Sequence, residues 1–68
     1  MLLGELAGAL DPKLVLELYG LEDNRTHHKG TFYLDDEASR AQLVRCHGKA
    51  TVRHRDLYKA YAMVYIDG

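Results

Sequence analysis

Residues 11–20 read DPKLVLELYG, and the architecture of the chain depends on whether this stretch forms a helix or a strand. Asp11 and Pro12 are typical of a helix start, because aspartate can accept a bond from free amides and proline lacks the amide left unpaired there. Gly20 would end such a helix. Leu14, Leu16 and Leu18 also alternate as a strand requires. The end signals favour the helix, which is our prediction for residues 11–20.

The flanking segments give clearer local signals. Leu3, Leu6, Ala7 and Leu10 recur at helical spacing, which predicts a short first helix. Residues 21–30 are polar and have no period of either kind, so we expect a loop. Residues 31–34 read TFYL, a β-prone composition bounded by Gly30 and an acidic cluster, and predict a short strand.

A second helix is predicted after residue 34. Asp35 suits its cap, Arg45 and His47 suit the negative end of its dipole, and Gly48 suits a left-handed stop. Its apolar residues spread around the axis. The alternative is a hairpin turning at His47-Gly48, with strands at residues 43–46 and 50–53. We keep the helix and add a short strand at residues 49–53.

Residues 57–66 fit both regular structures. With Asp56 as a cap, a helix here would align Tyr58, Tyr61 and Tyr65. A strand would present an apolar face made of Tyr58, Ala60, Ala62, Val64 and Ile66. The predicted fold class is therefore α+β, a single small domain over residues 1–68, helix-rich with a short two- or three-stranded sheet.

Length and cysteine content restrict the class of protein. A 68-residue chain buries only roughly 60% of the surface that its unfolded form exposes. Cys46 is the single cysteine, so no disulfide within the chain is possible and a reducing, cytoplasmic location fits best. Residues 1–10 are apolar but have no basic leader and are too short to cross a bilayer, so we expect no signal peptide and no membrane anchor.

Charge is unevenly distributed although the formal net charge is only −1. Residues 1–37 hold eight acidic and three basic side chains, whereas residues 38–68 hold six basic and two acidic ones. The low net charge excludes a general polycation that would coat nucleic acid. The uneven distribution points to an electrostatically oriented interface in the C-terminal half.

Catalytic and metal sites are not indicated. The four histidines and Cys46 lack the paired spacing of a zinc site. Ser39 and Cys46 have no base assured nearby, and the acidic run at residues 35–37 is better explained by helix capping. We therefore predict no enzyme activity, no cofactor, no metal and no small-molecule substrate.

The remaining candidates are binding residues in the C-terminal half. Basic side chains there would contact a partner, and tyrosines are frequent at interfaces. The candidate partner- or nucleic-acid-binding residues are Arg40, Arg45, Lys49, Arg53, Arg55, Tyr58, Lys59, Tyr61 and Tyr65. The leading hypothesis is a small regulatory or inhibitory protein, of the kind a phage or plasmid encodes, that docks on a protein partner or on itself. The alternative is a nucleic-acid-binding regulator that uses residues 40–59.

Overall fold

The computed structural model describes residues 1–67, in which two helices and four strands follow one another along the chain. The elements are α1 (Leu3–Ala9), β1 (Val15–Glu22), β2 (Arg25–Tyr33), α2 (Glu37–His47), β3 (Val52–Leu57) and β4 (Tyr61–Asp67). The strands form one mixed sheet in the order β2-β1-β4-β3. The class is α+β as expected, but the prediction of a helix-rich fold with a two- or three-stranded sheet is wrong, because four strands dominate.

Two antiparallel hairpins, β1–β2 and β3–β4, make up the sheet, and β1 pairs with β4 in parallel at its centre. A parallel pair needs a long crossover, and here α2 lies within that connection. The N-terminal segment runs beside the start of β3, where the Val52 amide donates to the Met1 carbonyl at 2.9 Å.

The predicted helix at residues 11–20 is wrong, because this stretch forms a turn and then strand β1. The Asp11 carboxylate accepts the Lys13 amide at 2.9 Å, and the Asp11 carbonyl accepts the Leu14 amide at 3.0 Å. The signals read as a helix cap therefore build a local turn. Leu16 and Leu18 are fully buried at the centre of the sheet. Strand β1 pairs with β2 on one side and β4 on the other and buries its alternating leucines. These interactions outweigh the helical end signals.

The predicted loop at residues 21–30 is wrong as well, because strand β2 begins at Arg25. Asp23 and Asn24 both have positive φ, 50° and 62°, the backbone of a tight two-residue hairpin turn. Hydrophobic periodicity is missing because β2 is an edge strand, exposed over most of its length. Residues 31–33 of the strand expected at residues 31–34 are the end of β2, and Leu34 lies in the turn that follows.

The two helix predictions fare better. Helix α1 is confirmed, with Leu3, Leu6 and Ala7 buried. Helix α2 is confirmed over Glu37–His47, which makes the alternative hairpin at His47-Gly48 wrong. Gly48 follows the helix but keeps right-handed backbone angles, with φ −58°. Only Leu43 of α2 is buried, which explains why its sequence shows no apolar stripe.

The C-terminal third is a hairpin. Strand β3 starts three residues later than predicted and runs to Leu57, and Asp56 lies inside it instead of capping a helix. Of residues 57–66, for which helix and strand were both left open, none is helical: Leu57 ends β3, residues 58–60 connect the strands, and residues 61–66 belong to β4, with Ala62, Val64 and Ile66 buried.

The core lies between the helices and one face of the sheet. It consists of Leu3, Leu6, Ala7, Leu16, Leu18, Phe32, Leu34, Leu43, Ala62, Val64 and Ile66. Side chains alternate along a strand, so the residues between these core positions point to the opposite face. In residues 1–67 neither helix covers that opposite face.

Candidate functional site

The face of the sheet that the helices leave uncovered is called the open face here. The strand registers arrange its side chains in rows that cross all four strands. Its residues are Val15, Glu17, Tyr19 and Leu21 from β1, Tyr61, Met63, Tyr65 and Asp67 from β4, Thr26, His28, Thr31 and Tyr33 from β2, and His54 and Asp56 from β3. Most of those on the central strands are half-buried by their neighbours.

Four rings form a continuous row across the open face, which we call the aromatic band. The order is His28, Tyr19, Tyr65, His54, one ring from each strand. The ring centroids are 5.2 Å apart for His28 and Tyr19, 5.4 Å for Tyr19 and Tyr65, and 5.6 Å for Tyr65 and His54. These separations are typical of favourable aromatic contacts. The band is a preformed surface, because each ring is held by its neighbour.

Both ends of the aromatic band carry a histidine bonded to a carboxylate. Nε2 of His28 lies 3.1 Å from a carboxylate oxygen of Glu17, and Nε2 of His54 lies 3.0 Å from one of Asp56. The Thr31 hydroxyl also donates to Glu17. At the end of β4, Arg53 donates to Asp67 at 3.3 Å. The three carboxylates of the open face therefore all have hydrogen-bond partners, two of them histidines of that face and the third Arg53 of β3.

Tyr65 stays protonated at neutral pH. Partial burial raises the pKa of its hydroxyl above the ordinary value of 10.0, and the nearby Asp56 carboxylate raises it further. A neutral phenol is both a donor and an acceptor. Tyr65 can therefore offer a hydrogen bond at the centre of the band without adding charge.

Tyr58 and Tyr61 stack at the turn between β3 and β4, with ring centroids 4.7 Å apart and planes inclined by 22°. The Tyr58 amide donates to the Tyr61 carbonyl at 2.9 Å, which closes the turn. Both side chains are more than 40% exposed. This tyrosine pair extends the apolar surface of the open face to the turn.

The predicted basic residues do not share one surface. Arg40 and Arg45 lie on α2, Lys49 follows it, Arg53 and Arg55 lie on β3, and Lys59 lies in the β3–β4 turn. Arg53 is paired with Asp67, and Arg55 contacts the sulfur of Met1 at 3.9 Å. Of the nine candidates, the structure brings together Tyr58 with Tyr61 and Arg45 with Lys49, and it places Tyr65 in the aromatic band.

Arg45 and Lys49 line a cavity of about 370 Å³ at the C-terminal end of α2. Lys29 of β2 and His47 of α2 line it too, together with Ile66 and Asp67 of β4. We call this the basic cavity. Most of its lining comes from the last turn of α2 and the residues that follow it, and no ring of the aromatic band lines it.

Sequence reasoning selects only Tyr61 and Tyr65 of the open face as binding residues. Glu17, Tyr19 and His28 fall in the predicted helix and loop, and His28 enters only as one of the histidines rejected as zinc ligands. The signal was present in the alternation of Val15, Glu17, Tyr19 and Leu21, which a strand places on one face. The helical end signals hid it.

The side chains considered above as nucleophiles or metal ligands either have a structural role or lack the neighbours that such chemistry needs. The Ser39 hydroxyl accepts the Tyr33 amide at 2.9 Å and so fixes the start of α2. Cys46 is exposed. Among residues 1–67 no three His, Cys, Asp or Glu side chains lie close enough together to hold a metal ion.

Neither α1 nor α2 has the length and apolar character needed to cross a membrane.

Comparison of the chain with protein-family models, with curated proteins and with solved structures gave no match.

Proposed function

We propose that this chain is a small non-catalytic regulatory or inhibitory protein that docks on a protein surface through its open face, and that a second copy of the chain is one such surface. The observation that carries the proposal is the aromatic band, which lies on a sheet face that neither helix covers within residues 1–67. Tyrosine combines a large apolar area with a polar tip and is enriched among residues that dominate binding energy.

The composition of the open face favours a partner with an apolar, aromatic surface. Val15, Leu21, Met63 and the tyrosine pair surround the band, and the sheet holds them in fixed positions. Few side chains would have to be ordered on binding, so little conformational entropy is lost. A second copy supplies the same apolar surface.

The charges of the open face are compatible with a second copy. Its carboxylates, Glu17, Asp56 and Asp67, already accept hydrogen bonds from His28, His54 and Arg53. Burying a carboxylate without a partner is strongly unfavourable, whereas these bring their partners with them. Two open faces can therefore pack together without leaving a carboxylate unpaired.

The size of the open face sets the expected strength of the dimer. Four strands about 4.8 Å apart, each rising about 3.3 Å per residue over seven residues, span about 400 Å². Stable interfaces bury about 800 Å² on each partner. The dimer should therefore be reversible, and contacts at the rim or a larger protein partner would strengthen it.

Analytical ultracentrifugation of two matched variants tests the proposal. Met63→Glu places a charge without a partner at the centre of the open face and should shift the chain to monomer at concentrations where the wild type dimerises. Val44→Glu is the control, since Val44 is similarly apolar and 46% exposed but lies on α2. A wild type that stays monomeric at millimolar concentration, or a dimer that survives Met63→Glu, contradicts the proposal.

A second candidate function is binding of single-stranded nucleic acid. His54 and Tyr65 offer rings on which bases could stack, and Arg53 and Arg55 lie on the same edge strand to contact phosphates. This function predicts binding of a mixed single-stranded oligonucleotide that falls steeply with salt and drops in the double variant R53A/R55A. Absence of binding at low ionic strength rejects it.

A further inference from the structure

The outer edge of β3 presents backbone groups that no other strand uses. β3 is the last strand in the sheet order, so β4 is its only strand partner in residues 1–67. The Tyr58 amide donates to the Tyr61 carbonyl at 2.9 Å, and the pairing of residues 54–57 before it is regular. Antiparallel strands alternate residues bonded to the partner with residues whose amide and carbonyl face away. Arg55 and Leu57 therefore direct these groups outward, along the stretch 54–57 that we call the β3 edge.

The chain already adds an extended segment where β3 begins. The Val52 amide donates to the Met1 carbonyl and the Leu3 amide donates to the Ala50 carbonyl, both at 2.9 Å. The bridge between these two bonds is antiparallel. A bulge at Arg53 separates this paired part from the β3 edge. A segment from another molecule that runs in the same direction would continue the added strand along the β3 edge.

A cavity of about 430 Å³ lies where the paired part ends. It is lined by Met1, Val52, Arg53, His54 and Arg55. Nη1 of Arg55 lies 3.9 Å from the Met1 sulfur, which is only a weak acceptor. In residues 1–67 no salt bridge joins Arg55 to a carboxylate, whereas Arg53 is already paired with Asp67. The cavity therefore offers the Arg55 guanidinium to an acidic group that enters it.

Leu57 extends the recognition surface beyond Arg55. The two side chains are two residues apart on a strand, so they lie on the same face. Leu57 is 54% exposed. In an added antiparallel strand, the residue two positions before the one opposite Arg55 lies opposite Leu57. The matching segment has an apolar residue followed two positions later by an acidic one.

A second copy of the chain fits the β3 edge poorly. The strand reads VRHRDL, with two arginines and a histidine against one aspartate. Like charges that face each other across paired strands are destabilising, and a charged edge discourages pairing between copies. A partner strand with a carboxylate at the matching position removes this penalty.

We propose that the β3 edge binds an extended acidic segment of a partner protein as an additional antiparallel strand, with a carboxylate opposite Arg55 and an apolar side chain beside Leu57. Backbone hydrogen bonds supply affinity in this mode, and the two side chains supply selectivity. Nucleic acid matches the edge less well, because phosphates accept hydrogen bonds but cannot donate to the outward carbonyls. Neither Arg55 nor Leu57 belongs to the open face, so this site does not depend on docking there.

An NMR titration with a capped peptide of sequence Thr-Val-Thr-Glu-Thr tests the site. Amide signals of Arg55 and Leu57 should shift and their hydrogen exchange should slow, because both amides gain a strand partner. The signals of Tyr19 and Leu43, which lie on other elements, should stay constant. Shifts that spare Arg55 and Leu57 overturn the proposal.

Two altered peptides separate strand pairing from attraction of charge. N-methylation of the glutamate amide keeps the charge but removes the donor for the Arg55 carbonyl, and should weaken binding at least about fivefold. Replacement of the glutamate by lysine should weaken binding at least as much. Equal binding of the N-methylated peptide overturns the proposal, because the backbone would not be recognised.

Two protein variants that remove equal charge complete the test. Arg55→Gln should weaken binding of the peptide at least about fivefold. Arg40→Gln removes a positive charge on α2 and should leave binding within about twofold. Both side chains are exposed, so the fold should be retained. Equal weakening by both variants overturns the proposal, since it would show general attraction of anions.

A thymidine dinucleotide, which carries the same single negative charge as the peptide, tests nucleic acid as the occupant. It should bind more weakly than the peptide. Tighter binding that is lost in Arg55→Gln overturns the proposal in favour of nucleic acid.

Discussion

Tyr65 shows at the level of one residue how the sheet alters ordinary chemistry. Its pKa is raised by burial and by Asp56, so the folded state favours the protonated phenol. The resulting stability is fully present below the pKa of the unfolded chain and is lost as pH rises through the higher folded value. We predict a decline in the free energy of unfolding above about pH 10 to which Tyr65 contributes.

Urea unfolding between pH 8 and 11 measures this effect, with Tyr65→Phe as the comparison. The decline should be smaller in the variant. Asp56→Asn should lower the Tyr65 pKa, as read from ultraviolet absorbance, because it removes the adjacent negative charge. A pKa that Asp56→Asn leaves unchanged would rule out the carboxylate as a cause.

Gly20 is the second decisive residue, because Lys29 occupies the space that a side chain would need. Gly20→Ala should displace the flexible end of Lys29 and leave the backbone in place. We predict a retained fold and a loss of about 1 kcal/mol in the free energy of unfolding, measured by urea denaturation. Gly8→Ala is the control, since nothing lies within 4 Å of a Cβ there. A Gly20→Ala variant at least as stable as the wild type would argue against this close approach of Lys29 to Gly20.

At the level of elements, the β1–β2 hairpin depends on its turn. Asn24 adopts φ 62°, which costs residues with a Cβ about 1–2 kcal/mol, but which asparagine and glycine tolerate better. Asn24→Ala should lower the free energy of unfolding by about 1 kcal/mol, and Asn24→Gly should not. Chemical denaturation checks both. Equal stability of the three proteins would argue against a strained turn.

The elements also show where sequence reasoning succeeds. Helix α1 has an apolar stripe and α2 has charges and Gly48 at its ends, so both were predictable. Strand β1 was not, because Asp11 and Pro12 start a turn as readily as a helix, and only pairing with β2 and β4 selects the strand. Strand β2 was missed because an exposed edge strand has no hydrophobic period.

Sequence reasoning could predict only the part of the site that comes from the C-terminal half of the chain. Tyr58, Tyr61 and Tyr65 were selected as aromatic binding residues, and the structure places Tyr65 in the aromatic band. Its neighbour Tyr19 comes from a strand more than forty residues away in sequence. Such a contact follows from the parallel pairing of β1 and β4, which no local pattern reveals.

At the scale of the whole molecule, the fold is stabilised by a single layer of buried side chains between the helices and the sheet. Leu18 is fully buried on β1, between the helices and the sheet. Leu18→Ala should cost about 2–5 kcal/mol, a large part of the stability of so small a domain. Thermal and urea unfolding measure the loss. Leu57→Ala is the control, because Leu57 is 54% exposed and should cost well under half as much.

The central claim is that the open face is the docking surface of the molecule. Amide NMR spectra of the wild type recorded from about 10 μM to 1 mM test it most directly, over the range expected for a small interface. The account predicts concentration-dependent shifts at Tyr19, Met63 and Tyr65, with the α1 and α2 signals constant. Spectra that do not change with concentration, or changes confined to the helices, would contradict it.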